Sequence, residues 1–101
     1  MAQYRKKPVV IDAEQYLPSK KQIPLGVILA GDTSLPYDAR PPIWWADEQG
    51  HRYPARDGED GFIATKESWI HVSPGDWVIT GVKGEKYPCK PDIFEMTYEA
   101  V

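Results

Sequence analysis

Hydrophobic and polar residues alternate with a period of two in several short segments, a pattern that favours β-strands with one buried face. The alternation is clear in 3–16, where the β-branched run 9–11 suits a pleated surface, so we predict a strand there. The apolar segment 26–31 is bounded by glycines and is too short to separate a strand from a helical turn, and we favour a strand.

The segment 62–87 carries the clearest strand pattern of the chain. Between two of its apolar runs, the turn 73–76 has Pro second and Gly third, which is the type II arrangement with Gly at positive φ. We predict a four-stranded antiparallel meander, with strands at 62–65, 69–72, 77–80 and 85–87.

Residues 91–101 have apolar positions that trace one face of a helix. Pro91 suits the first helical position, and acidic residues suit the positive N-terminal end of the helix dipole. The alternative is a strand with Phe94, Met96 and Tyr98 facing inward; we favour the helix. The positions of the helical face are Ile93, Phe94, Thr97, Tyr98 and Val101.

The segment 31–61 is predicted to be an irregular, proline-rich loop region, because it holds four prolines with Asp and Gly scattered between them. Its centre fits a short hairpin, with strands at 43–46 and 51–53 and a turn at 47–50. Ordered loops of this length in a small domain are commonly functional or mobile.

The composition indicates one small, strand-rich domain over 1–101. Ten prolines disfavour a helical bundle, and ten Trp and Tyr residues favour strands while supplying binding surface. The predicted fold class is therefore mainly β (α+β), a small bent antiparallel sheet or barrel with a short C-terminal helix.

Charge and cysteine usage narrow the class of function. Twelve Lys and Arg against fifteen Asp and Glu give a net charge of −3, which lacks the basic footprint of nucleic-acid-binding proteins. No apolar run approaches the roughly 20 residues of a membrane-spanning helix, and no signal peptide follows the basic triplet 5–7. The single Cys89 cannot form an internal disulfide, so we expect a reducing cytoplasm.

No catalytic or metal-binding pattern is recognisable in the sequence. Cys89 precedes Lys90, and a neighbouring cation favours a reactive thiolate, but no spacing ties the thiol to His51 or His71 as a base. We therefore interpret Cys89 as a small, half-buried apolar residue. The close ligand pairs of structural zinc sites are missing, so we predict neither a metal nor a cofactor.

The acidic residues at 57–60 and at 76 are predicted to lie in loops or turns. Asp57, Glu59 and Asp60 are expected to be solvated in a glycine-rich loop, because they lack the order of a calcium loop. Asp76 is expected to accept hydrogen bonds from backbone N–H groups of its turn, with a ligand contact as the alternative.

Adjacent tryptophans are the most suggestive surface feature. In a strand, Trp44 and Trp45 point to opposite faces, so one of them is expected to be exposed beside Arg40, Arg52 and Arg56. That chemistry suits a partner or a stacked base, although a small second cluster under the loop explains it nearly as well. The candidate binding residues are Trp44, Trp45, Arg52, Tyr53, Arg56, Asp76, Trp77, Glu85, Cys89 and Lys90.

The C-terminal part of the chain resembles a family of small phage and prophage proteins. The shared motifs are a PGDW or PGDY turn, G-x-x-G-E-x-Y and P-C-K-P-D-I-F, which stand here at 74–77, 81–87 and 88–94. The opening 4–11 is similar to their N-terminus, whereas 17–61 matches no known pattern. The resemblance implies a phage origin and a host-cell cytoplasm, and it carries over no catalytic residues.

Three hypotheses of function follow. The leading one is a non-enzymatic phage accessory protein that binds a host protein. The alternatives are a small-molecule or nucleotide binder whose Trp44/Trp45 loop closes over a pocket, and a small enzyme that uses Cys89 or the carboxylates of Asp76 and Glu85. A homodimer through an edge strand is compatible with the sequence, while a membrane or a nucleic acid is not the expected partner.

Overall fold

The computed structural model describes residues 1–5 and 8–101, and its secondary structure is mainly β. This confirms the predicted fold class, including the short C-terminal helix. Short 3₁₀ helices occupy Pro18–Lys20 and Tyr37–Ala39. The main elements are β1 (Asp12–Gln15), β2 (Val27–Leu29), β3 (Trp44–Ala46), β4 (Arg52–Pro54), β5 (Gly61–Ala64), β6 (Trp69–Val72), β7 (Trp77–Thr80), β8 (Lys86–Cys89) and α1 (Pro91–Thr97).

The strands are divided among three antiparallel sheets, ordered β1-β7-β8, β2-β5-β6 and β3-β4. The single bent sheet or barrel of the prediction is therefore replaced by three small sheets, and the four-stranded meander is wrong. The hairpins β5–β6 and β7–β8 belong to different sheets, because the edge of β7 is taken by β1 from the other end of the chain.

The turn 73–76 carries the chain from one three-stranded sheet to the other. Gly75 has a φ of +94°, as a type II turn requires. Two short backbone bonds hold the turn against the end of β1: the Tyr16 N–H donates to the Asp76 carbonyl and the Gly75 N–H donates to the Tyr16 carbonyl, both at 2.7 Å. These contacts between distant parts of the chain select β1 as the partner of β7.

Several elements are shorter than the sequence predicts. Among the described residues of 3–16, only Asp12–Gln15 is strand. Lys6 and Lys7 of the basic triplet lie outside the described residues. Helix α1 begins at Pro91, as predicted, and ends before Tyr98, whose backbone is extended. In the described part of the chain, no helix has both the length and the apolarity needed to cross a bilayer.

The hydrophobic core lies between the two three-stranded sheets, with Tyr16, Ile63, Val72 and Val78 at its centre. The Tyr16 hydroxyl donates to the Glu59 carbonyl at 2.5 Å, and burial raises the pKa of this phenol to about 12. This bond fixes the end of the irregular region 31–61 to the core.

Candidate functional site

The hairpin formed by β3 and β4, residues 44–54, contains the most exposed strands of the described part of the chain. We call it the aromatic arm. Its two strands pair only with each other, and Trp45 is the one residue in them that is even half-buried. Asp47 closes its turn by accepting hydrogen bonds from the N–H groups of Gln49 and His51, at 3.0 and 2.9 Å. The predicted hairpin and its turn are thus confirmed.

The inner face of the aromatic arm is held to the sheet β2-β5-β6 by aromatic stacking. The indole of Trp45 stacks on the His71 ring at 3.9 Å between centroids and 5° between planes. Its cross-strand neighbour Tyr53 stacks on Trp45 at 4.6 Å. Trp45 therefore attaches the arm, with Tyr53 packed against it, which is the structural role that the sequence left as an alternative.

Asp60 supports that attachment by contacting His71. Its side chain is fully buried, so the prediction that it is solvated is wrong. Its carboxylate contacts the His71 Nε2 at 2.8 Å and accepts from the backbone N–H and the Nε of Arg56, at 2.7 and 3.2 Å. Burial alone would raise the pKa of Asp60, but the bonds from Arg56 and His71 outweigh it and lower the pKa. The carboxylate stays charged and orients both partners.

The outer face of the aromatic arm carries Trp44, which is 45% exposed. The guanidinium of Arg52 lies over its ring, 4.4 Å from the centroid. Trp44 and Trp45 thus point to opposite faces with Trp44 exposed, as predicted. Because side chains alternate along a strand, Trp45 faces the protein and Trp44, with Arg52 over its ring, faces solvent.

A cavity of about 610 Å³ lies between the aromatic arm and the segment 30–42; we call it the arm cavity. Its volume falls within the usual range of ligand pockets. Apolar and aromatic side chains form much of its wall, and Asp32, Arg40 and Asp57 supply charge. Hydrogen bonds from the hydroxyl and N–H of Ser34 lower the pKa of Asp32, which keeps this carboxylate ionised.

A second group of predicted residues lies at the open end of the β7–β8 hairpin, opposite its turn. The Asp76 carboxylate, 3% exposed, accepts from the Ser73 N–H at 2.9 Å and from the Lys90 Nζ at 3.2 Å. Trp77 stacks on Phe94 of α1 at 4.2 Å and 7°. The PGDW and P-C-K-P-D-I-F motifs therefore meet in space and join the turn to the helix, which confirms the turn role of Asp76.

Cys89 lies opposite Trp77 in the same hairpin, half-buried. Burial raises the pKa of its thiol, and the carboxylates of Asp76 and Asp92 raise it further. The half-buried position agrees with the interpretation of Cys89 as a small apolar residue. The thiolate that an adjacent cation can favour is not supported, because the Lys90 ammonium is bound to Asp76. A thiol in this setting is a poor nucleophile at neutral pH.

Glu85 stands apart from the other candidates. One of its carboxylate oxygens accepts from the Lys83 N–H at 3.0 Å, and its carbonyl accepts from the Gly81 N–H, so it closes the β7–β8 turn. Asp76 is at the other end of the four-residue strand β7, roughly 13 Å away along a strand that rises about 3.3 Å per residue. The two carboxylates cannot act on one reacting atom.

The structure divides the candidates between the arm region and the end of the β7–β8 hairpin, with Glu85 alone. Among residues 1–5 and 8–101, no group of three or more His, Cys, Asp or Glu side chains could hold a metal ion. Sequence reasoning missed the roles of Asp60 and His71 and the walls of the arm cavity. The apolar neighbours of Asp60, at 61–64, were a signal that it enters a buried strand.

Comparison with protein-family models, with curated proteins and with solved structures finds no match for the chain.

Proposed function

We propose that the protein is a non-enzymatic binding module that engages a partner protein through the aromatic arm. The observation that carries this proposal is the two-sided construction of the arm. Trp45 anchors one face to His71, and this leaves Trp44 and Arg52 stacked on each other on the exposed face. Tryptophan and arginine are the residues that most often dominate the energy of protein interfaces.

The composition of 31–61 supports a protein partner. The chain has four arginines and eight lysines. Three of the arginines lie in this segment, and none of the lysines does. Interfaces are enriched in aromatic residues and arginine and depleted in lysine. All of the lysines lie outside 31–61, so the preference for arginine over lysine is confined to the arm and its surroundings.

The phage resemblance makes a host protein in the host cytoplasm the partner that we propose, and the single cysteine is consistent with a reducing compartment. A catalytic role is not favoured, because Cys89 is held as a thiol and the carboxylates of Asp76 and Glu85 are separated. The second candidate function is a small-molecule or nucleotide binder, which the volume of the arm cavity favours.

Affinity capture from host lysate, combined with native mass spectrometry, tests the proposal. We expect wild type to retain a stoichiometric host protein and Trp44→Ala to weaken that complex by at least about 30-fold, with the melting temperature changed by less than about 2 °C. Tyr4→Ala is the matched control, because it removes an exposed aromatic ring outside the arm.

Capture that survives Trp44→Ala would exclude the arm as the binding surface. A small added mass on the folded chain, with no protein partner, would support the ligand-binding candidate instead. A homodimer would appear as a doubled mass.

A further inference from the structure

The negative charge of the protein is concentrated around the aromatic arm. Residues 31–61 contain seven Asp and Glu and three Arg, a net charge of −4, whereas the rest of the chain has eight acidic and nine basic residues and a net charge of +1. Complementary charge is how interfaces steer and select partners. A basic partner surface is the one that complements this charge.

Two carboxylates of this segment line the arm cavity together. The Ala30 N–H donates to the Asp60 carbonyl at 2.9 Å, and the Gly58 N–H donates to the Ala30 carbonyl at 3.0 Å. These bonds place 57–60 beside 30–32, so that Asp57 and Asp32 line the same cavity. Gly31 makes the approach close, since a Cβ on it would lie 2.5 Å from the Asp57 Cγ.

Both carboxylates keep bonding capacity. Asp32 uses only its Oδ1, which accepts from the N–H and hydroxyl of Ser34 at 3.0 and 2.5 Å. Within 1–5 and 8–101, its Oδ2 has no hydrogen bond and Asp57 has no ion pair. Arg40 also lines the cavity, so the charge of its wall sums to −1, which one cation neutralises.

The aromatic walls of the arm cavity already accept guanidinium groups from this chain. Arg52 lies over Trp44 at 4.4 Å, and Arg40 lies over Tyr37 at 5.8 Å. Arg40 is fixed there, because it also donates to the carbonyls of Thr33 and Leu35. Because Arg40 is already bonded within the chain, the carboxylates, with Trp44 and Tyr37 beside them, remain for an incoming group.

We infer that the arm cavity receives an arginine side chain of the partner protein, with its guanidinium between Asp32 and Asp57. The planar fork of arginine suits two carboxylates and stacks on aromatic rings, which the ammonium of lysine does not do as well. This inference rests on the proposed function, and it names the chemical group that the partner brings.

Titration of the ¹⁵N-labelled protein with N-acetyl-arginine methylamide tests the inference by NMR. The neutral isostere N-acetyl-citrulline methylamide is the reference probe. We expect the arginine amide to shift the Trp44 indole N–H and the amides of 31–33 and 57–58, and to bind at least about fivefold more tightly than the citrulline amide.

Asp57→Asn should remove most of that preference, and Asp38→Asn should leave it unchanged. Asp38 is the matched control because it is an exposed carboxylate of the same segment that does not line the cavity. Equal binding of the two amides, shifts confined to other residues, or an unchanged preference in Asp57→Asn would each overturn the inference.

The titration and the capture experiment fail separately. Absence of arginine binding, together with capture that depends on Trp44, would overturn the cavity assignment and leave the binding function standing. Arginine binding together with capture that ignores Trp44 would support the cavity assignment and refute the role of the arm.

Discussion

At the scale of single residues, Asp60 is the charge on which the attachment of the aromatic arm depends. It is buried, yet it keeps its charge, because Arg56 and His71 both bond it. Removing a buried acceptor costs more free energy of folding than the net contribution of its hydrogen bonds, because buried donors are left without an acceptor. Asp60 thus has a structural role, although its partner His71 contacts the aromatic arm.

Asp60→Asn is expected to lower the free energy of unfolding at pH 7 by about 2 kcal/mol. Because the pKa of Asp60 is lower in the folded than in the unfolded state, its contribution is present above the unfolded pKa. The contribution is lost as the pH falls through the folded pKa, so the difference between wild type and variant should shrink below about pH 4.

Urea denaturation at pH 7, 4 and 3 measures this difference, with Asp38→Asn as an exposed control. A variant as stable as wild type at pH 7, or a difference that grows in acid, would show that Asp60 does not hold the arm as a carboxylate.

At the scale of elements, the aromatic arm is a two-stranded hairpin, and such hairpins are marginally stable on their own in water. Its stability must therefore come from Trp45 on its inner face, which stacks on His71 and Tyr53. The outer Trp44 contacts Arg52 and contributes little to the fold. The two adjacent tryptophans thus differ in their role in the fold: Trp45 stabilises the arm, and Trp44 is the residue that we propose contacts the partner.

Trp45→Ala is expected to lower the free energy of unfolding by roughly 2 kcal/mol and to abolish the protection of amides in 44–54 against hydrogen exchange. Trp44→Ala is the matched control and should leave both properties close to wild type. Hydrogen exchange resolved by residue makes the comparison. Equal loss of protection in the two variants would contradict the division of roles.

At the scale of the whole molecule, the sequence predicts what is local and misses what joins distant segments. The turn of the arm is readable because Asp47 bonds N–H groups two and four residues on. The pairing of β7 is not readable, since β1 is more than 60 residues away and competes with the adjacent β6. The arm cavity is missed for a different reason, because all of its walls lie within 30–57, a largely irregular part of the chain whose path no hydrophobic period predicts.

The separation of charge along the chain predicts how the complex forms. With a net charge of −4 in 31–61, against +1 elsewhere, we expect the partner that we propose to be attracted to the arm before contact if its surface is basic. Since salt screens charges that are farther apart than the Debye length, the association rate should fall by about tenfold between roughly 20 and 500 mM NaCl. The dissociation rate should change much less, because short-range packing on Trp44 is little affected by salt.

Surface plasmon resonance with the captured partner measures both rates. Asp38→Asn, which removes one charge outside the arm cavity, should slow association without changing dissociation, whereas Trp44→Ala should mainly speed dissociation. An association rate that does not depend on salt would mean that the partner does not respond to the charge of 31–61. The arm would then bind through its aromatic face alone, and the cavity carboxylates would have no role in selecting the partner.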